Sequence, residues 1–311
     1  MRIIYFGTPS FAAEVLKYLI ENGTEVLAIV TKPDRPRGRS GKPAFSAVKE
    51  LATKDYPDIP LYQPDKASTS AFEEELRRYG ADLFVVVAYG EIMKEDILNL
   101  PKEGCINLHA SLLPKYRGAA PIQFALLDGA KETGVTVIEM VLKMDAGDML
   151  SQEKIPIPQE MNCAELEEKL CSLGSEALLR VIRKFSHYYS QKKPQDPHEA
   201  TYVQKIESSM AEIDWNKSAK TIHNQIRAFS PRPGAWTEVE INGQLKRLKI
   251  FKTKVVEGSG EPRLSLSFSK NEWVIACKKG ALSLLEIQLE GKKRLAISEF
   301  ALAFSSALKL K

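Results

Sequence analysis

Apolar residues open the chain as a continuous run over residues 3–6, closed by Gly7, Thr8, Pro9 and Ser10. An unbroken run predicts a strand covered on both faces. Phe11, Val15 and Leu19 then recur at i+4, the spacing of a helix, with Ser10 placed to cap it and Gly23 placed to end it. Residues 25–30 form the next strand. This β-α-β opening is the unit of a parallel sheet with helices on its faces. Helical composition returns over residues 72–79 and, at greater length, over 165–185. Between them lie an apolar run (82–88), an alternating segment (105–109) and a further strand pattern (135–141). Residues 1–188 therefore read as a doubly wound, mostly parallel α/β domain of Rossmann-like type.

Residues 189–206 change character, with prolines and few apolar positions, and read as a linker. A short helix is expected over 218–229, with Ile222 and Ile226 on one face, stopping before Pro231. Short strand patterns follow, broken by Asn242-Gly243, Gly258-Ser259-Gly260 and Gly291. Residues 207–311 thus read as a small all-β barrel, OB-like in pattern.

Composition narrows the class. The 311 residues are 44% hydrophobic and 27% charged, which excludes a disordered or fibrous chain. No run of 18 apolar residues occurs, so no spanning helix is expected. Met1 leads directly into a strand with no leader pattern, and the expected location is the cytoplasm. Cys105, Cys163, Cys171 and Cys277 are widely separated and form no C-x-x-C pair. Reduced, buried thiols and no metal site are expected. Residues 1–200 carry 25 basic and 29 acidic side chains, and residues 201–311 carry 19 and 11, a net +8. That last third suits either a polyanion partner or a solvated lysine-rich face, and charge alone does not choose.

The densest chemistry lies at Asn107 and His109. Strand alternation turns their side chains to one face and those of Ile106 and Leu108 to the other. In an open parallel sheet, sites form at the carboxyl ends of strands. Asp145 follows the strand pattern at 135–141 and can sit at such an end, with Gly147 permitting a sharp turn that aims it inward. An amide, an imidazole and a carboxylate converging on one point offer an oxyanion donor, a proton carrier and an orienting group. Periodicity alone leaves open a satisfied strand-end histidine and aspartates that only form turns. A dinucleotide reading of the opening is rejected, because Gly7-Thr8-Pro9-Ser10 is not G-x-G-x-x-G.

The stretch GCINLHASLLPKYRGAAPI (104–122) closely resembles the methionyl-tRNA formyltransferase family. So do FGTP (6–9), VVVAYG (85–90), ETGVT (132–136), DAGDML (145–150), IDW (213–215) and RAFSP (227–231). The resemblance spans nearly the whole chain, whereas the Asn, His and Asp alone would mark only the wider folate-dependent group. It implies a translation-initiation enzyme that passes the formyl group of 10-formyltetrahydrofolate to the α-amino group of methionyl initiator tRNA. Asn107, His109 and Asp145 are its implied catalytic residues. The implied folate slot lies between loops 88–93 and 141–145, with Ala88, Tyr89, Gly90, Ile92, Ser111, Leu112, Leu113, Pro114 and Met144 around it. Tyr89 reads equally as a core aromatic. The basic loop 32–42 carries Arg35, Arg37, Arg39 and Lys42 against one acid. It resembles the loop that grips the tRNA acceptor end, with Arg39 at the position sensing the unpaired first base pair. Lys205, Arg247 and Lys249 are the implied contacts further along. A monomer without DNA or membrane partners is expected. The competing readings are an amino-sugar-nucleotide formyltransferase, an RNA-binding protein on an inactive scaffold, and a hydrolase releasing formate from the same folate.

Overall fold

The computed structural model describes residues 1–36, 43–241, 243–303 and 309–311. Contacts divide the chain into two units. The first takes 1–121, 133–155 and 167–203; the second takes 122–132, 156–166 and 204–311.

The first unit is built on a sheet of seven strands: β1 (Arg2–Gly7), β2 (Glu25–Val30), β3 (Leu61–Tyr62), β4 (Leu83–Val87), β5 (Cys105–His109), β6 (Glu132–Glu139) and β7 (Met149–Pro156). Their spatial order is β7-β6-β5-β4-β1-β2-β3. β1 pairs in parallel with β2 and β4, β2 with β3, and β4 with β5. Every residue of β4 is buried, as an unbroken apolar run requires. Chain order reverses direction between β1 and β4, and there the Thr8 hydroxyl donates to the Tyr89 carbonyl at 2.8 Å. Such a switch point is where open α/β sheets form their sites.

α1 (Ser10–Glu21) buries Phe11, Val15 and Leu19 as its spacing predicts. Its N-cap is Pro9 rather than Ser10, and no side chain caps it. Gly23 takes φ +80° just past the C-cap Asn22. α2 (Ala47–Asp55) and α3 (Ser70–Arg77) are capped by Ser46 and Thr69, whose side chains accept backbone N–H groups. α4 (Cys163–Arg183) is the long helix. The residues after it do not hang free as a spacer. Lys193 pairs with Met149 through two backbone hydrogen bonds, and Tyr202–Val203 pairs in parallel with Arg117–Gly118.

In the second unit, α5 (Ala219–Ala228) is capped by Ser218 and buries Ile222 and Ile226. Its sheet contains β8 (Ala235–Ile241), β9 (Gln244–Val256), β10 (Ser265–Ser269), β11 (Glu272–Ala276), β12 (Ala281–Leu289), β13 (Arg294–Ala296) and β14 (Lys309–Leu310). The order is β10-β11-β12-β9-β8-β14, with β13 on β12 and antiparallel pairing throughout. Among the described residues, the two ends of this path do not pair with each other. Its core includes the fully buried Trp215 and Trp273, the latter stacked on Phe300 with ring centroids 6.0 Å apart.

Candidate active site

β5 presents Asn107 and His109 two residues apart, with Ile106 and Leu108 buried. His109 is itself buried and Asn107 half-buried. The Asn107 carboxamide makes no hydrogen bond to the described residues, so its N–H groups are free for a ligand. His109 Nε2 lies 2.9 Å from the Tyr116 carbonyl oxygen. A carbonyl only accepts, so Nε2 carries a proton and Nδ1 is the nitrogen left to gain or lose one. Nδ1 faces Asp145 Oδ1 at 3.8 Å. That is beyond hydrogen-bond length, and the contact is an ion pair only when the ring is protonated. The other carboxylate oxygen, Oδ2, accepts the Gly118 N–H at 2.8 Å.

Asp145 arrives by a different route from the one its sequence position suggests. β6 runs antiparallel to β5, with Thr136 opposite His109 and Glu139 opposite Ile106. The carboxyl end of β6 therefore lies beside the amino end of β5, and the Met140 N–H donates to the Cys105 carbonyl. The loop after β6 must turn back to reach His109. It does so by laying Gly147 on the end of β6, where a Cβ would stand 1.8 Å from the Glu139 carbonyl oxygen. Gly147 is required for close approach, not for a left-handed turn. Asp145 itself takes the left-handed conformation, φ +51°, and so does Tyr116 at +60°. Each such residue costs about 1–2 kcal/mol, so the surrounding hydrogen bonds must hold both.

Comparison with known proteins identifies the family of the chain. A family model described as "Formyl transferase" matches residues 1–182, and one described as "Formyl transferase, C-terminal domain" matches 205–305. The methionyl-tRNA formyltransferase of Protochlamydia amoebophila (strain UWE25) is 50% identical over 96% of this chain and 94% of its own length. That of Caldanaerobacter subterraneus subsp. tengcongensis is 44% identical over 96% of each. The chain belongs to the methionyl-tRNA formyltransferase family. Among solved structures, HypX from Aquifex aeolicus in complex with tetrahydrofolic acid shares the fold, with TM-score 0.64 at 18% identity over 97% of this chain. This chain spans about half of HypX, 47% of its length. WlaRD, a sugar 3N-formyl transferase solved in the presence of dTDP and 5-N-formyl-THF, has TM-score 0.64 at 20% identity, covering 94% of this chain and 99% of its own.

The residues expected around a folate slot divide into two groups. Ala88 and Gly90 take positive φ, +45° and +81°, and are exposed. Ile92 and Met144 are 72% and 57% exposed, and Val141 and Leu142 are exposed beside Met144. Large apolar side chains left in water on two loops form a candidate ligand surface. Tyr89 does not belong to it. Its ring is buried in the core, edge-on to Phe6 with centroids 5.5 Å apart. Burial, with the Glu91 carboxylate nearby, pushes its phenol above the ordinary range. Only its backbone can serve the slot. Ser111, Leu113 and Pro114 are buried and Leu112 half-buried. The Ser111 hydroxyl donates to the Lys115 carbonyl at 2.6 Å, and the Thr136 hydroxyl donates to the Ser111 carbonyl at 2.7 Å. Gln152 Nε2 donates to the Leu113 carbonyl at 2.8 Å. Thr136 and Gln152 thus lace this loop to the sheet, a role no pattern in the sequence announces.

Arg37, Arg39 and Lys42 lie outside the described residues. Arg35 is exposed, in a two-residue strand that pairs with Pro43–Ala44. Asp34, the acid of this loop, accepts from Gln63 at 2.9 Å and Lys49 at 2.6 Å. These bonds hold its carboxyl below the usual range. Lys205 is exposed. In β9, Leu248 and Ile250 are fully buried, so Arg247 and Lys249 share the outer face as alternation predicts. The Arg247 guanidinium stacks over Trp236 at 4.1 Å, and Lys249 Nζ donates to the Pro233 carbonyl at 2.7 Å.

Proposed function

We propose that this site transfers the formyl group of 10-formyltetrahydrofolate to the α-amino group of methionyl initiator tRNA, with Asn107, His109 and Asp145 as its catalytic residues. The observation that carries the reading is the geometry at the end of β5. A free amide and an imidazole with one committed nitrogen stand on one face, and a carboxylate faces the other nitrogen. The bound folate supplies the formyl carbon. An α-amino group titrates near pH 8 and the adjacent ester lowers that further, so free amine is available without a strong base. Asn107 Nδ2 donates to the oxygen that gains charge as the amine attacks. His109, protonated on Nδ1, adds a second donor, gives that proton to the folate nitrogen as its bond to the formyl carbon breaks, and then takes up on Nδ1 the proton released by the attacking amine. Asp145 places a negative charge opposite that nitrogen and fixes the ring between itself and the Tyr116 carbonyl.

The exposed apolar side chains of Ile92, Val141, Leu142 and Met144 support a slot for a flat heterocycle, with loop backbone at Ala88 and Gly90 to read its polar edge. The net +8 of residues 201–311, with Lys205, Arg247 and Lys249 outward, supports tRNA as the amine carrier.

The test is formyl transfer from 10-formyltetrahydrofolate to methionyl initiator tRNA, with methionyl elongator tRNA alongside. Transfer to the initiator alone is expected. Losing an oxyanion donor costs about 3–4 kcal/mol of barrier, so Asn107→Ala and His109→Ala should each lower turnover by roughly a hundredfold or more. Near-normal turnover in both variants sinks the assignment. Folate turnover without transfer to either tRNA redirects the reading to amino-sugar nucleotides or to formate release.

A further inference from the structure

We propose that Gln195, in the stretch between the two family matches, is a positioning residue of the formyl-transfer site: it holds the Asp145 loop and the Tyr116–Gly118 loop in register. The inference rests on the catalytic reading of Asp145 and His109 given above.

The Gln195 carboxamide is buried and all four of its hydrogen-bonding positions are filled. Oε1 accepts from Arg117 Nε at 3.0 Å and from Arg117 Nη2 at 2.7 Å. Nε2 donates to the Asp145 carbonyl and to the Gly147 carbonyl, each at 2.8 Å. The orientation is unique, because a guanidinium only donates and backbone carbonyls only accept. One end of the amide therefore grips the loop that bears Asp145, on both sides of Ala146. The other end grips Arg117, whose two neighbours in the chain make the catalytic contacts. The Tyr116 carbonyl takes His109 Nε2–H, and the Gly118 N–H reaches Asp145 Oδ2.

Gln195 is itself pinned on both flanks. On one side, Lys193 pairs with Met149 through bonds of 2.8 and 2.9 Å, and Lys192 Nζ meets the Glu139 carboxylate. On the other, the Thr201 hydroxyl accepts the Tyr116 N–H at 2.8 Å, and the Thr201 and Val203 carbonyls accept from Arg117 and Ala119. β6 does not carry Asp145 to His109 directly, and Asp145 holds a backbone conformation that L residues rarely adopt. The Gln195 bonds to the Asp145 and Gly147 carbonyls hold that loop where its carboxylate faces the imidazole.

Gln195→Glu separates the two grips. A glutamate keeps the size and still accepts from Arg117. It loses both donors and sets an anionic oxygen against two carbonyl oxygens. Q195E should lower kcat 10- to 100-fold, as displaced supporting groups do, with the KM values for methionyl-tRNA and for the formyl donor within about threefold of wild type. In a D145N background the same change should lower kcat by less than about threefold, because the group being positioned is already disabled. A merely structural residue would lower kcat by the same factor in both backgrounds. Q195M, of similar size and neutral, removes the same two donors together with the acceptor for Arg117, so it releases both grips, and the same two backgrounds read its effect if Q195E does not fold. Wild-type kcat in whichever of these variants folds, or an equal loss in the D145N background, overturns the proposal. Normal turnover in D145N alone overturns the catalytic reading instead.

Discussion

Replacing Gly147 with alanine tests whether the placement of Asp145 sets the rate. The added Cβ would stand 1.8 Å from the Glu139 carbonyl oxygen and 2.8 Å from its carbon, where real Cβ contacts do not fall below 3.0 Å. The backbone must therefore separate by at least 1.2 Å. Glu139 ends β6 and is paired with Ile106, so the loop is the part that moves. Two residues away, the Asp145–Gly118 bond of 2.8 Å would stretch toward 4.0 Å and cease to be a hydrogen bond. Misplacing a catalytic group by about 1 Å costs roughly a hundredfold in rate. The expected result is a kcat lower by about that factor, with KM values for both substrates little changed. Overpacking of this kind costs about 1–3 kcal/mol of stability, which thermal unfolding reads separately. Gly23→Ala is the control: unlike Gly147, Gly23 sits at positive φ, +80°, but its Cβ meets nothing within 4 Å. That variant should lose about 1 kcal/mol and no activity. A Gly147→Ala enzyme with wild-type kcat would refute the dependence of turnover on the Asp145 position.

Three further outcomes follow from the same geometry. Tyr89→Phe should leave kcat and the formyl-donor KM within about twofold of wild type, since its ring packs in the core; a large rise in that KM would return Tyr89 to the slot. Arg247→Ala and Lys249→Ala should each reduce the slope of log K against log salt for tRNA binding by about one unit, and unchanged slopes would remove these residues from the tRNA surface. Burial, assisted by Glu14, pushes the Cys171 thiol up to about 11. The folded protein at pH 7.5 should therefore label with a thiol reagent at least about a hundredfold more slowly than free cysteine, and rapid stoichiometric labelling would contradict this environment.

The sequence alone determined the local elements, because their causes are local. The unbroken apolar runs became β1 and β4, the i+4 spacing of Phe11, Val15 and Leu19 became the buried stripe of α1, and the alternation in 105–109 put Asn107 and His109 on one face. Outward Arg247 and Lys249 beside buried Leu248 and Ile250 were legible for the same reason. Tertiary structure decided strand direction and every contact made across a large sequence separation. A strand pattern has the same period in either orientation, so 135–141 could not announce that β6 runs against β5. The core placement of Tyr89 depended likewise on neighbours brought close by folding. Gln195 is the extreme case. A glutamine among prolines and charges reads as solvent-facing, and its partners lie 78, 50 and 48 residues away in the chain. Only the closure of two loops around one carboxamide, whose donors and acceptors match theirs, gives that residue its place in the site.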